Sequence, residues 1–151
     1  MRFIRAEHNQ LEPAYRIIQA SIEAAYSPCY PREVVDFFRN VIHTRENISR
    51  DIDAGALWLM EEDGECFGTG CLRGDEIARV YLLPDYQGRG YGGRMMDFLE
   101  KSAVTDTVQL SPSLPAEGFY RNRGYRLLSH EDCPLGNGVV LSRDIMEKHL
   151  R

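Results

Sequence analysis

No run among these 151 residues approaches the ~18 consecutive apolar residues that a membrane-spanning helix requires. The N-terminus, Met1-Arg2-Phe3-Ile4-Arg5, also lacks the apolar stretch of a secretory signal peptide. A basic excess is missing too. Acidic side chains number 23 against 18 Lys and Arg, a net charge of −5. That argues against a nucleic-acid partner, because phosphate contacts need a concentrated basic surface. The expectation is a soluble cytoplasmic protein with neither a membrane nor a nucleic acid as partner. The four cysteines, Cys29, Cys66, Cys71 and Cys133, form no CxxC pair and have no histidine at ligand spacing. Reduced structural thiols are expected rather than a metal site or a disulfide. Cys66 and Cys71, five apart in a strand, should face opposite sides of a sheet.

What is present suits a globular domain: 43% hydrophobic and 27% charged residues favour neither disorder nor a coiled coil. No repeat, low-complexity tract or linker divides the chain, so residues 1–151 read as one domain. Residues 2–6 suggest a short strand. Leu11, Tyr15, Ile18, Ile22 and Ala25 step by four and three, the apolar stripe of an amphipathic helix. Pro31 opens a second helix carrying Val34, Val35, Phe38 and Ile42, and Thr44 caps a third that ends at Gly55. Ala56–Glu61 and Glu65–Leu72 read as strands around an Asp63-Gly64 hairpin turn. Arg73-Gly74-Asp75 reads as the next turn, and a strand follows to Leu83. Later come a helix to about Val104, a strand at Thr107–Leu110, a short helix at Leu114–Arg123, and closing strands at 125–130 and 138–145. The fold class is α/β, or α+β: a mixed, mostly antiparallel sheet flanked by helices.

Between the strand ending at Leu83 and the helix beginning at Arg94 lies Pro84-Asp85-Tyr86-Gln87-Gly88-Arg89-Gly90-Tyr91-Gly92-Gly93. A glycine-rich turn here lets backbone N–H groups approach an anion at the positive end of a helix dipole. Gly88-x-Gly90-x-x-Gly93 formally matches the dinucleotide fingerprint. That turn follows its strand directly, however, whereas Pro84 to Gln87 intervene here. A Walker-type loop needs Gly-Lys-Ser/Thr, and this loop has no lysine. A tight connector that merely requires glycine is the plain alternative. A coenzyme A pyrophosphate site is the third phosphate-binding possibility.

Gln87-Gly88-Arg89-Gly90-Tyr91-Gly92 resembles the Q/R-x-x-G-x-G/A signature of the GNAT N-acetyltransferase superfamily. The resemblance extends back through Val80-Tyr81-Leu82-Leu83-Pro84, similar to that family's fourth strand. It extends forward to the run Ser113 to Tyr125, which resembles its A-x-x-F-Y-x-x-x-G-F/Y segment, and so covers about residues 75 to 127. The first 74 residues match only in the order of elements. Where many members carry asparagine, this chain has Ser113. The resemblance implies a single N-acetyltransferase domain with a bulge and splay at the fourth strand. It implies acetyl-CoA as co-substrate, no metal, and direct attack by an amine in a ternary complex. Gln87, Gly88, Arg89, Gly90, Tyr91 and Gly92 would hold the pyrophosphate. Leu82 and Leu83 would offer backbone to the pantetheine arm, and the Leu82 N–H would stabilise the oxyanion.

Tyr120 occupies the family's general-acid position, although it also reads as a core tyrosine beside Phe119. Glu76 stands eleven positions before Gln87, the spacing of the catalytic glutamate in some members. On an alternating strand it shares a face with Ala78, Val80 and Leu82, so its carboxyl would sit among apolar side chains and gain basicity. A solvated strand-end carboxylate is the competing reading, and His130 is a substitute base. Family members build the acceptor pocket from the first helix–helix loop and the last hairpin. Those would place Tyr26, Tyr30, Glu131 and Asp132 near a protonated amine, unless these are ordinary loop residues. The expected acceptor is a primary amine of a small molecule or amino acid. The alternatives are a protein or peptide amine, or a non-catalytic acyl-CoA-binding module. The sequence does not decide between monomer and homodimer.

Overall fold

The computed structural model describes all 151 residues. Seven strands form one mixed sheet: β1 (Arg2–Arg5), β2 (Leu57–Glu62), β3 (Glu65–Arg73), β4 (Glu76–Leu82), β5 (Thr107–Leu110), β6 (Arg126–Gly136) and β7 (Val139–His149). Their spatial order is β1-β2-β3-β4-β5-β7-β6. Every neighbouring pair is antiparallel except β4 and β5. Helices α1 (Leu11–Tyr26), α2 (Arg32–Phe37) and α3 (Arg45–Asp53) cover one face. Helix α4 (Tyr91–Ser102) and the short α5 (Glu117–Asn122) lie with the other.

Each face has its own apolar core. Ile18 and Ile22 of α1, Val35 and Ile48 close on Leu57, Leu59 and Cys71 of the sheet. On the far side Met95, Met96 and Leu99 of α4 close on Met60, Phe67, Ile77 and Val108. Strand alternation assigns β2 to both cores, Leu57 and Leu59 to one and Met60 to the other. The close approach of α4 to β3 depends on Gly70, because a Cβ there would fall 2.6 Å from the Met95 sulfur.

The third helix is capped as its sequence predicts, with the Thr44 hydroxyl accepting from the Asn47 amide at 3.1 Å. The second ends early. Past Phe37 the backbone widens into a π-helical segment, Phe38–Ile42, and the His43 amide donates back to the Phe38 carbonyl at 2.9 Å. The Gln19 side chain satisfies the carbonyls of Arg39 and His43, at 2.9 Å each. The predicted helix at Leu114–Arg123 divides into a 3₁₀ turn, Leu114–Ala116, and α5. The closing strands are longer than expected because Asn137 and Gly138, both at positive φ, make a two-residue hairpin turn.

Cys66 and Cys71 pack on the same face, not on opposite ones. The β2–β3 register shifts by one residue between Met60/Gly68 and Glu61/Cys66, and this bulge inverts the alternation between them. All four cysteines are free thiols. No helix is long and apolar enough to cross a membrane.

Candidate active site

The parallel strands β4 and β5 meet at one end only. Glu76 is registered with Gln109, and the Gln109 amide donates to the Asp75 carbonyl at 2.8 Å. Beyond that point they part, and a cleft of about 650 Å³ occupies the wedge between them. The parting coincides with a bulge. Thr69 pairs with Tyr81 but Cys71 with Ala78, so β4 carries one residue more than β3, and a bulged strand bends.

Arg79 is the residue at the bulge, at φ +51°. A left-handed conformation costs a non-glycine residue about 1–2 kcal/mol, so neighbouring contacts must hold it. The Thr69 hydroxyl donates to the Arg79 carbonyl at 2.6 Å, and the Arg79 Nε donates to Asp51 at 2.7 Å. Both charged side chains are 6% exposed. Asp51 also pairs with Arg73 at 3.1 Å.

The bulge overturns the face expected for Glu76. Ala78 and Tyr81 pack toward α1, whereas Ile77, Val80 and Leu82 pack toward α4. Glu76, Ala78, Val80 and Leu82 therefore do not share a face. The Glu76 side chain is 43% exposed, pairs with Arg73 at 3.1 Å and does not line the cleft.

The glycine loop borders the cleft through Gln87, Gly88, Gly90, Gly92 and Gly93. Gly90 ends the loop at φ +86°, a backbone position that favours glycine. The first bond within α4 runs from the Arg94 amide to the Gly90 carbonyl at 3.2 Å. The amides of Tyr91, Gly92 and Gly93 are thus the helix's unpaired donors, with no capping side chain and no acid in the first turn. Arg89 lies over the Tyr86 ring, its guanidinium carbon 5.3 Å from the centroid. The Tyr91 ring packs edge-on against Phe67 at 4.8 Å.

Leu82 and Leu83 differ. The Leu83 amide donates to the Phe67 carbonyl at 2.8 Å and its carbonyl accepts from Tyr86 at 2.9 Å, so its backbone is already paired. Strand geometry turns the preceding residue's backbone groups the other way, toward the wedge. The Leu82 carbonyl accepts from the Gln87 side chain at 3.1 Å.

Tyr120 and Tyr26 line the same cleft. Burial raises the Tyr120 pKa, and no hydrogen-bond partner opposes the shift, so the hydroxyl stays protonated with its proton uncommitted. Tyr30 backs the cleft instead of lining it: its hydroxyl accepts from the Leu114 amide at 2.7 Å, and burial pushes its pKa up to about 12. Glu131 and Asp132 lie outside, exposed on β6. Asp132 accepts from His130 at 2.9 Å and from Ser142 at 3.0 Å. His130 is held between Asp144 and Asp132, and hydrogen bonds to both raise its pKa. Those contacts favour its protonated, donating form.

Sequence reasoning missed a buried row of side chains. Tyr26 and Tyr81 hydroxyls are 2.9 Å apart, Tyr81 is 3.0 Å from His43 Nε2, and His43 Nδ1 is 2.6 Å from an Arg79 nitrogen. The available signal was an arginine inside the apolar strand run Ile77 to Leu83, since a buried guanidinium requires a buried acid. Burial, with Arg79 and then Arg73 adding repulsion, lowers the His43 pKa to about 3. An unfolded chain takes up this proton below about pH 6.5 and the folded one does not, so stability falls as pH drops through that range. The expected loss from this residue between pH 7 and pH 5 is about 2 kcal/mol. Urea titrations across that range should show His43→Gln flattening this part of the slope. An unchanged slope would mean His43 takes up a proton in the fold.

The model of the GNAT acetyltransferase domain matches residues 53–127. The fold is similar over 98% of the chain to a GCN5-related N-acetyltransferase from Rhodopseudomonas palustris, at 24% identity, 94% coverage of that chain and TM-score 0.87. It is similar over 98% to the PaiA N-acetyltransferase of Thermoplasma acidophilum, solved in complex with coenzyme A, at 18% identity, 98% coverage and TM-score 0.72. It is similar over 99% to the ribosomal-protein-S18-alanine N-acetyltransferase of Escherichia coli, at 18% identity, 93% coverage and TM-score 0.69. The family match spans β2 to β5, the glycine loop and α5, which build the wedge and most of its cleft, and the chain belongs to the GNAT acetyltransferase family.

Proposed function

We propose that residues 1–151 act as one acetyl-CoA-dependent N-acetyltransferase domain that moves an acetyl group to a primary amine of a small molecule or amino acid. The observation that carries this reading is the wedge between β4 and β5 running into the unpaired amides at the start of α4. Acetyl-CoA fits those residues: its pyrophosphate suits three free N–H groups at a helix N-terminus without a competing carboxylate. Gln87, Gly88, Gly90 and Gly92 border that position, with Tyr91 contributing its amide and Arg89 its backbone and charge. Leu82, with its backbone toward the wedge, pairs with the pantetheine arm once the Gln87 side chain releases its carbonyl. Leu83 has no free backbone group to add.

The coenzyme supplies the acetyl group as a thioester. The Leu82 N–H holds charge developing on the carbonyl oxygen. Tyr120 delivers a proton to the departing sulfur. The attacking nitrogen loses its proton to water, because Glu76 is ion-paired outside the cleft and no carboxylate lines it. The amine thus reacts in its neutral form. The similarity to an enzyme named for a ribosomal-protein alanine makes peptide N-termini the second arm of an acceptor screen.

Calorimetric titration with acetyl-CoA tests the reading, with Gly92→Asp as the partner experiment. A Cβ at Gly92 would meet Phe119 at an ordinary 3.6 Å, and an acid in the first turn suits the helix dipole. That variant should fold at least as well as the parent while its carboxylate repels the pyrophosphate. Micromolar binding weakened about a hundredfold or more is expected. Equal affinity in the two proteins would place the coenzyme elsewhere, and no binding at millimolar coenzyme would end the acetyltransferase reading.

A further inference from the structure

The buried row from Arg79 to Tyr26 has a direction. An arginine always donates, so the 2.6 Å contact makes His43 Nδ1 the acceptor. With its pKa lowered to about 3 the ring is neutral near pH 7, and its single proton must then sit on Nε2. Nε2 donates to the Tyr81 hydroxyl, 3.0 Å away, which leaves the Tyr81 proton for the Tyr26 oxygen at 2.9 Å. The Tyr26 proton is then left for the cleft side, which Tyr26 lines and where its hydroxyl also has a hydrogen-bond contact with the Ser113 side chain. Every link points outward. The row cannot carry a proton inward, because it ends on a guanidinium that has no lone pair.

Charge agrees with this direction. Among the cleft-lining residues, Arg79 is the one ionised at neutral pH, and no Asp or Glu joins it. Behind it, Asp51 is shared between the buried Arg79 and Arg73, and Arg73 pairs in turn with the more exposed Glu76 at 3.1 Å. A cationic amine or polyamine finds no carboxylate there, whereas an anionic oxygen finds a donor hydroxyl backed by a buried cation.

We infer that Tyr26 is an acceptor-binding residue whose hydroxyl donates to a carboxylate on the substrate, so that the acceptor class is a free amino acid. This rests on the N-acetyltransferase reading and refines its acceptor. The expectation that Tyr26 receives an ammonium group is thereby reversed.

The test measures thiol release from acetyl-CoA with the twenty free L-amino acids, their amides and their decarboxylated amines, after calorimetry has established that acetyl-CoA binds. At least one amino acid should turn over with kcat/KM about a hundredfold above its decarboxylated counterpart, the amide falling between. Tyr26→Phe and Tyr81→Phe should each shrink that preference about tenfold or more, by raising KM for the amino acid. His43→Gln, which can accept from Arg79 and donate to Tyr81, should retain the preference, and His43→Leu should lose it. A purely structural role for the row would lower all substrates together and leave the ratio intact. Preference for amines without a carboxylate, or an unchanged ratio in Tyr26→Phe, would overturn the inference. Binding of acetyl-CoA with no turnover of any amino acid would overturn it too while leaving the acetyltransferase reading in place. No binding of acetyl-CoA would remove both.

Discussion

Asp51→Asn is expected to lower stability by about 3–5 kcal/mol, because it leaves a guanidinium in the interior without a counter-charge. Asp51 and Arg79 are each 6% exposed, and the carboxylate also receives Arg73. Truncating an exposed pair such as Arg50–Glu46, with side chains 67% and 78% exposed, should barely register beside it. The melting temperature should fall by about 10 °C. Salt separates the two effects as well: screening reaches the surface pair and leaves the buried one largely untouched, so the Asp51→Asn deficit should persist in 1 M NaCl. A loss below about 1 kcal/mol in urea unfolding would show that Arg79 finds water once Asp51 is gone.

The consequence reaches the site through the backbone. Arg79 is a non-glycine residue at φ +51°, and its side-chain pairing offsets the strain of that position. The same residue is the bulge from which β4 turns away from β5. Asp51→Asn should therefore weaken coenzyme binding although Asp51 does not line the cleft. Asp51 thus links a helix on one face of the sheet to the geometry of a wedge within it.

This arrangement marks where the sequence is legible. Elements whose signals are local were readable: the α1 stripe, the Thr44 cap, the Asp63-Gly64 turn, and the glycine loop between strand and helix. The cofactor side of the cleft is built almost wholly from such a local signal, and Gln87, Gly88, Gly90 and Gly92 all border it. Two bulges hid the rest. Alternation counted through Phe67–Gly68 put Cys66 on the wrong face, and alternation counted through Arg79 put Glu76 among apolar neighbours it does not have. A bulge inserts one residue and inverts every position beyond it, with no mark in hydrophobic periodicity. The row joining Tyr26, Tyr81, His43 and Arg79 was invisible for another reason. Its members come from three segments up to 55 positions apart, the end of α1, the turn after the π-helical segment and β4, brought together by that turn and the bulge. Tyr26 itself was named from its loop position, but its partners, and hence its polarity, follow only from the fold.

Tyr120→Phe is expected to lower kcat about a hundredfold while altering the KM values little, since a proton delivered to the departing sulfur acts only as the C–S bond breaks. The substitution is a clean one. The ring keeps its edge-on packing against Phe119 at 5.1 Å and Tyr125 at 5.7 Å, and the removed hydroxyl has no hydrogen bond to forfeit. Stability should stay within about 0.5 kcal/mol of the parent, so a loss of activity cannot be blamed on unfolding. Because burial raises the Tyr120 pKa above the ordinary tyrosine value, no deprotonation of the acid should cut the rate below about pH 10. The leaving group supplies the sharper discrimination. An acetyl thioester of a strongly acidic thiol departs without protonation, so the variant should recover most of its deficit on that substrate if Tyr120 is the acid. An equal deficit on both thioesters would assign Tyr120 to positioning, and a kcat within twofold of the parent on acetyl-CoA would remove it from the mechanism.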